Sequence, residues 1–405
     1  MKKALIILIA LFAGLLTTNC NDYEITPTHE LTVNVSYPDG FIAADFPEDV
    51  TVKAFNTDKE KTTTVTAGTD GKAIFDLSEG NYKITTSFSV TGNDDEEYIF
   101  NGTVSEYTLT ENDSTSMTLI LANTGGFVFK EIYYSGSRTP ANKTYFHDQF
   151  HEIYNNTGAV LYADGLCIAA LYPTTSNRLS SWANEDGSLP DSLPTYPMVW
   201  IIPGDGDDYP INPGENIVIA MDGINHQNDE NGNPDSPVNL SNANWETYFE
   251  LSGKDLDASG VPNLTLVYTT STKLIDFFPG VYGPAEIIFK FPDNDWESFV
   301  GNPNNFMTRP GSSSSTEYLM IPKEYVIDAV ECVRTDKTVY KRLPNDLDAG
   351  YTYIEAGTYS SKSVRRKVKK IIDGRVIYKD TNNSSEDFLH DLTPTPGINP
   401  ESVEE

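Results

Sequence analysis

The sequence predicts an all-β protein made of two tandem β-sandwiches, the second larger and interrupted by long loops. Three observations carry this expectation. Apolar residues alternate with polar ones over short segments, turn residues punctuate those segments at close intervals, and no segment between Glu30 and Ala122 keeps a helical period.

The chain opens with Lys2 and Lys3 and an apolar run from Ala4 to Leu16. That run is too short for a bilayer span of about 20 residues, but it suits the apolar region of a secretory signal. Leu16-Thr17-Thr18-Asn19-Cys20 follows, a loose form of the small-residue box that precedes a lipidated cysteine. Residues 1–19 are therefore expected to be a lipoprotein signal peptide, with acyl groups on Cys20 as the membrane anchor. Residues 20–29 read as a polar tether, and Asn21-Asp22-Tyr23-Glu24 resembles the acidic tags that send Bacteroidetes lipoproteins to the outer face of the outer membrane.

From Glu30 the pattern has period two: Leu31-Val33-Val35, then Val50-Val52-Ala54, Val65, and Ala73-Phe75 after the Asp70-Gly71 turn. Tyr82-Ile84, Tyr98-Phe100, Val104-Tyr107-Leu109 and Met117-Leu119-Leu121 continue it, at the strand spacing of a sandwich. The segments at 50–56, 69–75 and 79–84 resemble the carboxypeptidase-regulatory or transthyretin-like module, with its Asp-Gly turn and Gly-x-Tyr strand start. The resemblance covers 30–123 and implies a stalk or spacer without chemistry of its own.

Asn123-Thr124-Gly125-Gly126 reads as a boundary. Beyond it come Phe127 to Tyr134, Phe150-His151-Glu152-Ile153-Tyr154-Asn155-Asn156, Val160-Leu161-Tyr162, Leu166-Cys167-Ile168 and Pro213-Gly214-Glu215-Asn216-Ile217, closed by Thr393-Pro394-Thr395-Pro396-Gly397. This order is similar to the lamin-tail immunoglobulin-like domain, departing at Lys130, where that family has Asn. With its insertions, 126–398 resembles more closely an uncharacterised Bacteroidetes lipoprotein family of unknown function, DUF4876. The shared features are Lys130 to Gly136, Asp148-Gln149-Phe150, and Asp380 to Phe388. The insertions at 173–200 and 222–262 are rich in Asn, Asp, Pro, Ser and Gly and read as long loops. Val364 to Ile372, the Asp373-Gly374 turn and Arg375 to Tyr378 predict a hairpin, and 399–405 is an acidic tail.

Formal net charge is −31, and removal of Lys2 and Lys3 with the signal leaves 26 basic against 59 acidic residues, or −33. So acidic a surface repels nucleic acid and attracts cations. Two loops gather oxygen ligands, Asp205, Asp207 and Asp208 in one, and Asp229, Asn231 and Asp235 in the other. Calcium is the cofactor they would suit, although neither has EF-hand spacing: Gly232 would put Gln227 first and Val238 at the bidentate position.

His147 and His151 stand four residues apart beside Glu152, but the segment reads as a strand with His147 in the preceding loop, which argues against a helical metal pair. Glu131 and Glu152 occupy corresponding strands with apolar neighbours of opposite parity, the pattern of solvent-facing positions. No Gly-x-Ser-x-Gly, Walker, His-Glu-x-x-His or Cys-x-x-Cys motif occurs, and Ser312 to Ser315 is a low-complexity loop, so no catalytic residue is assigned. Cys167 and Cys332 lie in apolar strands, either as buried thiols or as one disulfide.

Between Arg334 and Lys379 there are twelve basic and five acidic residues, and Arg365, Arg366, Lys367, Lys369 and Lys370 form either a cationic patch or a lysine-protected edge strand. Asp113-Ser114-Thr115 and Asp191-Ser192-Leu193 match a Bacteroidetes O-glycosylation pattern at Ser114 and Ser192. The expectation is a surface-exposed outer-membrane lipoprotein acting as a non-catalytic binding module. Family resemblance implies work beside a TonB-dependent transporter in uptake of an iron compound or glycan. The alternatives are a metal-assisted hydrolase using the acidic loops and His226, and an adhesin.

Overall fold

The computed structural model describes residues 27–38, 46–91, 97–121, 126–185, 187–277, 279–334 and 339–404. The signal peptide, Cys20 and most of the tether lie outside the described residues. The protein is mostly β, with 43% strand and 6% helix. No helix among the described residues is long and apolar enough to cross a membrane.

Residues 28–121 form a three-stranded and a five-stranded sheet. In the first, Thr28–Ser36 lies between Lys72–Ser78 and Asp113–Thr118. In the second, Lys61–Thr66, Thr51–Asn56, Gly80–Thr91, Glu97–Leu109 and Ile120–Leu121 are neighbours in that order. One apolar cluster draws on both sheets, with Leu31, Val33, Phe75 and Met117 from the first and Val52, Ala54, Ile84 and Phe100 from the second. The period-two pattern is what supplies it, since every second side chain faces the cluster.

The rest of the chain builds a six-stranded and an eight-stranded sheet. The six-stranded order is Trp245–Glu246, Asn216–Ala220, Phe150–Asn155, Phe127–Tyr133, Ser363–Arg366, Phe388–Leu392. The eight-stranded sheet centres on Ser192–Ile201, Leu166–Leu171, Ala285–Lys290 and Val326–Val333. Phe129, Ile132, Ile153, Ile217 and Ile219 of one sheet share a cluster with Ile168, Trp200, Ile288, Val330 and Cys332 of the other.

Both sheets are also covered on their outer faces. Phe291, Trp296, Phe299 and Leu343 pack on Cys167, Ala169, Ile287 and Phe289. On the six-stranded sheet, Val368, Val376 and Tyr378 pack on Val128 and Tyr154. Strands such as Phe127–Tyr133 and Leu166–Leu171 are therefore buried at every residue, as expected for a sheet sandwiched on both sides.

Three expectations change. Ser192–Ile201 lies within a stretch that reads as a loop, yet it is a central strand; Pro194 and Pro197 disguise it, because proline argues against a central strand. The 222–262 stretch is irregular but ordered by buried Ile224, Val238, Leu240, Trp245 and Phe249. The hairpin is Val368–Ile372 with Arg375–Tyr378, and Asp373 and Gly374 both have positive φ as its two-residue turn requires. Ser363–Arg366 is separate from it and joins the six-stranded sheet.

Candidate functional site

The pairing of Phe150–Asn155 with Asn216–Ala220 continues past the last strand residues. Met221 donates its N–H to Gln149 O (3.0 Å) and Asp222 donates to His147 O (3.3 Å). The sheet thus sets His147 and Asp222 side by side, though 75 positions separate them in sequence. Asp276 arrives from a third segment, held by the neighbouring buried Phe277, whose ring lies 6.1 Å from His151 and 6.5 Å from Trp200. The His147 ring stacks on Phe146 at 4.4 Å.

His147 Nδ1 lies 2.8 Å from Asp276 Oδ2 and 3.6 Å from Asp222 Oδ2. The three potential ligand atoms are all within 4.8 Å of one another, and this is the one such group of three His, Cys, Asp or Glu residues among the described residues. His147 is 31% exposed, whereas the Asp222 and Asp276 side chains are 5% and 0% exposed. Oδ1 of each aspartate is buried without a hydrogen-bond partner among the described residues. Burial, then the charge of Asp276, pushes the Asp222 carboxyl up to about 8. Burial, then Asp255, holds the Asp276 carboxyl well above the usual carboxylate range.

A supporting layer fixes the loop after Asp222. His226 is fully buried, with Nδ1 2.8 Å from Tyr145 OH and Nε2 3.1 Å from Asp222 O. A carbonyl only accepts, so Nε2 carries the proton and Tyr145 donates to Nδ1. Burial pushes His226 down to about 4, which keeps it neutral. Glu246 accepts from the N–H groups of Gly223 and Ala258, each at 2.7 Å, and Asp255 accepts from Leu256 N at 2.9 Å.

The acidic loops prove to be tied by their own backbone. Asp205, Asp207 and Asp208 are exposed, and their turn is organised by buried Asp164, which accepts from Gly206 N (3.2 Å), Asp208 N (3.0 Å) and Tyr209 N (2.9 Å). Asp229 accepts from Asn231 N at 2.8 Å, and Asp235 donates its N–H to Asn233 Oδ1 at 3.1 Å. Neither loop brings three His, Cys, Asp or Glu side chains together among the described residues.

The cationic run is divided. Arg366 is buried, bonded to Asp328 (2.7 Å), Asp380 (3.1 Å), Asp387 (3.3 Å) and Phe129 O (2.9 Å), and Arg365 pairs with Glu404 at 2.6 Å. These two arginines are therefore structural and leave the expected patch; Lys367 is half-buried, and Lys369 and Lys370 are exposed.

Glu131 and Glu152 are fully buried, contrary to their parity, because the chain's end covers that face of the sheet. Glu152 Oε1 accepts from Lys130 Nζ (2.8 Å) and Gly397 N (3.0 Å), and Lys130 Nζ also donates to Ile398 O (2.8 Å). Glu131 accepts from Ser363 Oγ and from Thr395 N (3.2 Å). His151, the other half of the histidine pair, is buried against Glu286 at 2.8 Å.

Cys167 and Cys332 are free and buried, and their side chains join clusters on opposite faces of the eight-stranded sheet, which keeps the sulfurs apart. Ser114 is exposed on the strand Asp113–Thr118, and Ser192 is half-buried at the start of its strand.

The fold and site define a class: a β-rich chain of several sheets, with an open histidine and carboxylate constellation at one sheet end. Residues 212–395 match the family described as "Protein of unknown function (DUF4876)". The matched stretch includes Asp222 and Asp276 and stops short of His147.

The chain is similar to a DUF4876 family protein from Bacteroides thetaiotaomicron VPI-5482, whose crystal structure aligns with TM-score 0.61 and 29% identity over 93% of this chain and 99% of that one. A DUF3823 family protein from Parabacteroides merdae ATCC 43184 aligns at 12% identity and TM-score 0.18, over 48% of this chain and 82% of that one. No curated protein matches.

Proposed function

We propose that the chain is a lipid-anchored binding module on the outer face of an outer membrane, working beside a TonB-dependent transporter in capture of an iron compound or glycan. Cys20 after its apolar run supplies the anchor, and the acidic residues after it favour the outer face. The apolar cluster shared by the three- and five-stranded sheets supports a transthyretin-like stalk, and the paired six- and eight-stranded sheets support a lamin-tail-like second unit.

The observation that carries a binding role is the contrast in buried charge. Arg342 with Glu331 and Arg366 with Asp328 are closed pairs, and Lys130 with Glu152 and His151 with Glu286 are paired in the interior with one carboxylate oxygen each left over. Asp222 makes no side-chain hydrogen bond among the described residues, and its constellation reaches solvent at His147. Buried polar groups left unmatched cost stability, which a ligand repays. The hydrolase alternative would use His226, and both of its ring nitrogens are already taken.

Three measurements test the proposal. Cys20→Ala should move the protein from the membrane to the soluble fraction, and protease added to intact cells should remove the domain. Pull-down from detergent-solubilised outer membrane should recover a transporter. A Cys20→Ala variant that stays membrane-bound, full protease protection, or absence of any transporter would overturn the anchored, displayed or accessory part respectively.

A further inference from the structure

We propose that His147, Asp222 and Asp276 bind one divalent transition-metal ion, with at least one coordination position facing solvent.

The spacing fits a coordination polyhedron. Bonds of about 2.1 Å place neighbouring ligand atoms about 3.0 Å apart at right angles and about 3.4 Å apart at tetrahedral angles. The observed separations of 2.8 and 3.6 Å from His147 Nδ1 bracket those values. Two carboxylates and a dication sum to zero charge, the balance that a buried site needs. Without a cation, Oδ1 of each buried aspartate keeps no hydrogen-bond partner among the described residues.

The donor set also selects the ion. Calcium and magnesium take oxygen ligands, whereas an imidazole nitrogen beside carboxylates suits zinc, iron, manganese or cobalt. The supporting layer is of the kind that orients ligands. Phe146 stacks on the His147 ring, the sheet pairing joins the backbones of His147 and Asp222, and His226 donates to Asp222 O. Three protein ligands leave a position on the exposed His147 side for water or for a donor group of a captured molecule. The ion site stands independently of the transporter reading, because it follows from these three side chains alone.

The test is calorimetric titration of the chelator-treated mature chain with zinc, manganese and calcium chlorides, followed by metal analysis. The expected result is one equivalent of zinc or manganese bound, with calcium much weaker. His147→Ala and Asp222→Asn should each weaken binding by more than about 100-fold, beyond the loss of a supporting hydrogen bond. Asp205→Asn should bind as the wild type.

Asn has nearly the size and shape of Asp, so the metal-free Asp222→Asn variant should melt close to the wild-type temperature, which separates lost ligation from lost folding. Absence of binding by the wild type, preference for calcium, or unchanged affinity in both His147→Ala and Asp222→Asn would overturn the proposal. A transporter pull-down that fails while zinc or manganese still binds would count against the uptake reading alone.

Discussion

Lys130→Met should destabilise the protein by about 3–5 kcal/mol at pH 7 to 8, the cost of breaking a buried ion pair from one side. The structure gives the parts. The lysine loses one charge-assisted bond to Glu152, leaves the Ile398 carbonyl without its donor, and gives up a 3.3 Å contact to Asn216. Loss of a charged hydrogen bond costs about 1.5–3 kcal/mol and an orphaned partner about 1–3 kcal/mol. Glu152 would keep only Gly397 N.

Burial already holds the Glu152 carboxyl up at about 7 beside Lys130, so without the lysine it would stay protonated to higher pH. The deficit of Lys130→Met against wild type should therefore be nearly level from pH 5 to 7 and widen by about 1.4 kcal/mol per unit above. Lys130→Met/Glu152→Met removes both charges and should cost less than Lys130→Met alone. Urea unfolding at pH 5.5, 7 and 8 reads these values. A single-variant loss under about 1 kcal/mol at pH 8, or a double variant as unstable as the summed singles, would refute the pairing.

Gly204 has φ +139°, and a Cβ there would lie 2.1 Å from Asp164 Oδ1, so Gly204→Ala should cost roughly 3 kcal/mol and expose the 205–209 turn to protease; wild-type cleavage rates would contradict this. Burial raises Asp328 to about 7 and Asp387 to about 6, as it raises Glu152. The folded chain then binds more protons than the unfolded one, so stability should fall as pH rises from about 5 through 7, opposed below about 6.5 by depressed His226. A urea midpoint higher at pH 7.5 than at pH 5.5 would reverse that sign. Cys167 and Cys332 should be silent to a thiol reagent in the native protein and react after unfolding without reductant; two unreactive sulfurs in urea would mean a disulfide.

Period-two patterns with Asp-Gly turns made the strands around Leu31, Ala73 and Tyr82 legible, because there one face meets an apolar cluster and the other meets solvent. The same logic misplaced Glu131 and Glu152. Their sheet is covered on both sides, and parity says nothing about solvent when the covering segment, Thr395 to Ile398, comes from the far end of the chain. Arg366 reads as surface charge for a similar reason: Asp328 and Asp387 lie on other strands and turns. Oxygen-rich loops were easy to see, but the buried Asp164 that organises the 205–209 turn lies on a distant segment. His147 was visible as a histidine, but Asp222 and Asp276 become its neighbours only through sheet pairing and the burial of Phe277.

Strand Phe127–Tyr133 lies between Phe150–Asn155, made soon after it, and Ser363–Arg366, made near the chain's end. Loop closure of that length has to precede the contacts that reward it, which slows folding. A chain threaded N-terminus first through a narrow channel would carry this strand with one bare edge for most of its passage, so the six-stranded sheet would close late. The same edge makes late truncation hazardous: stopping before Ser363 would leave the edge of this buried strand open to pair with another copy.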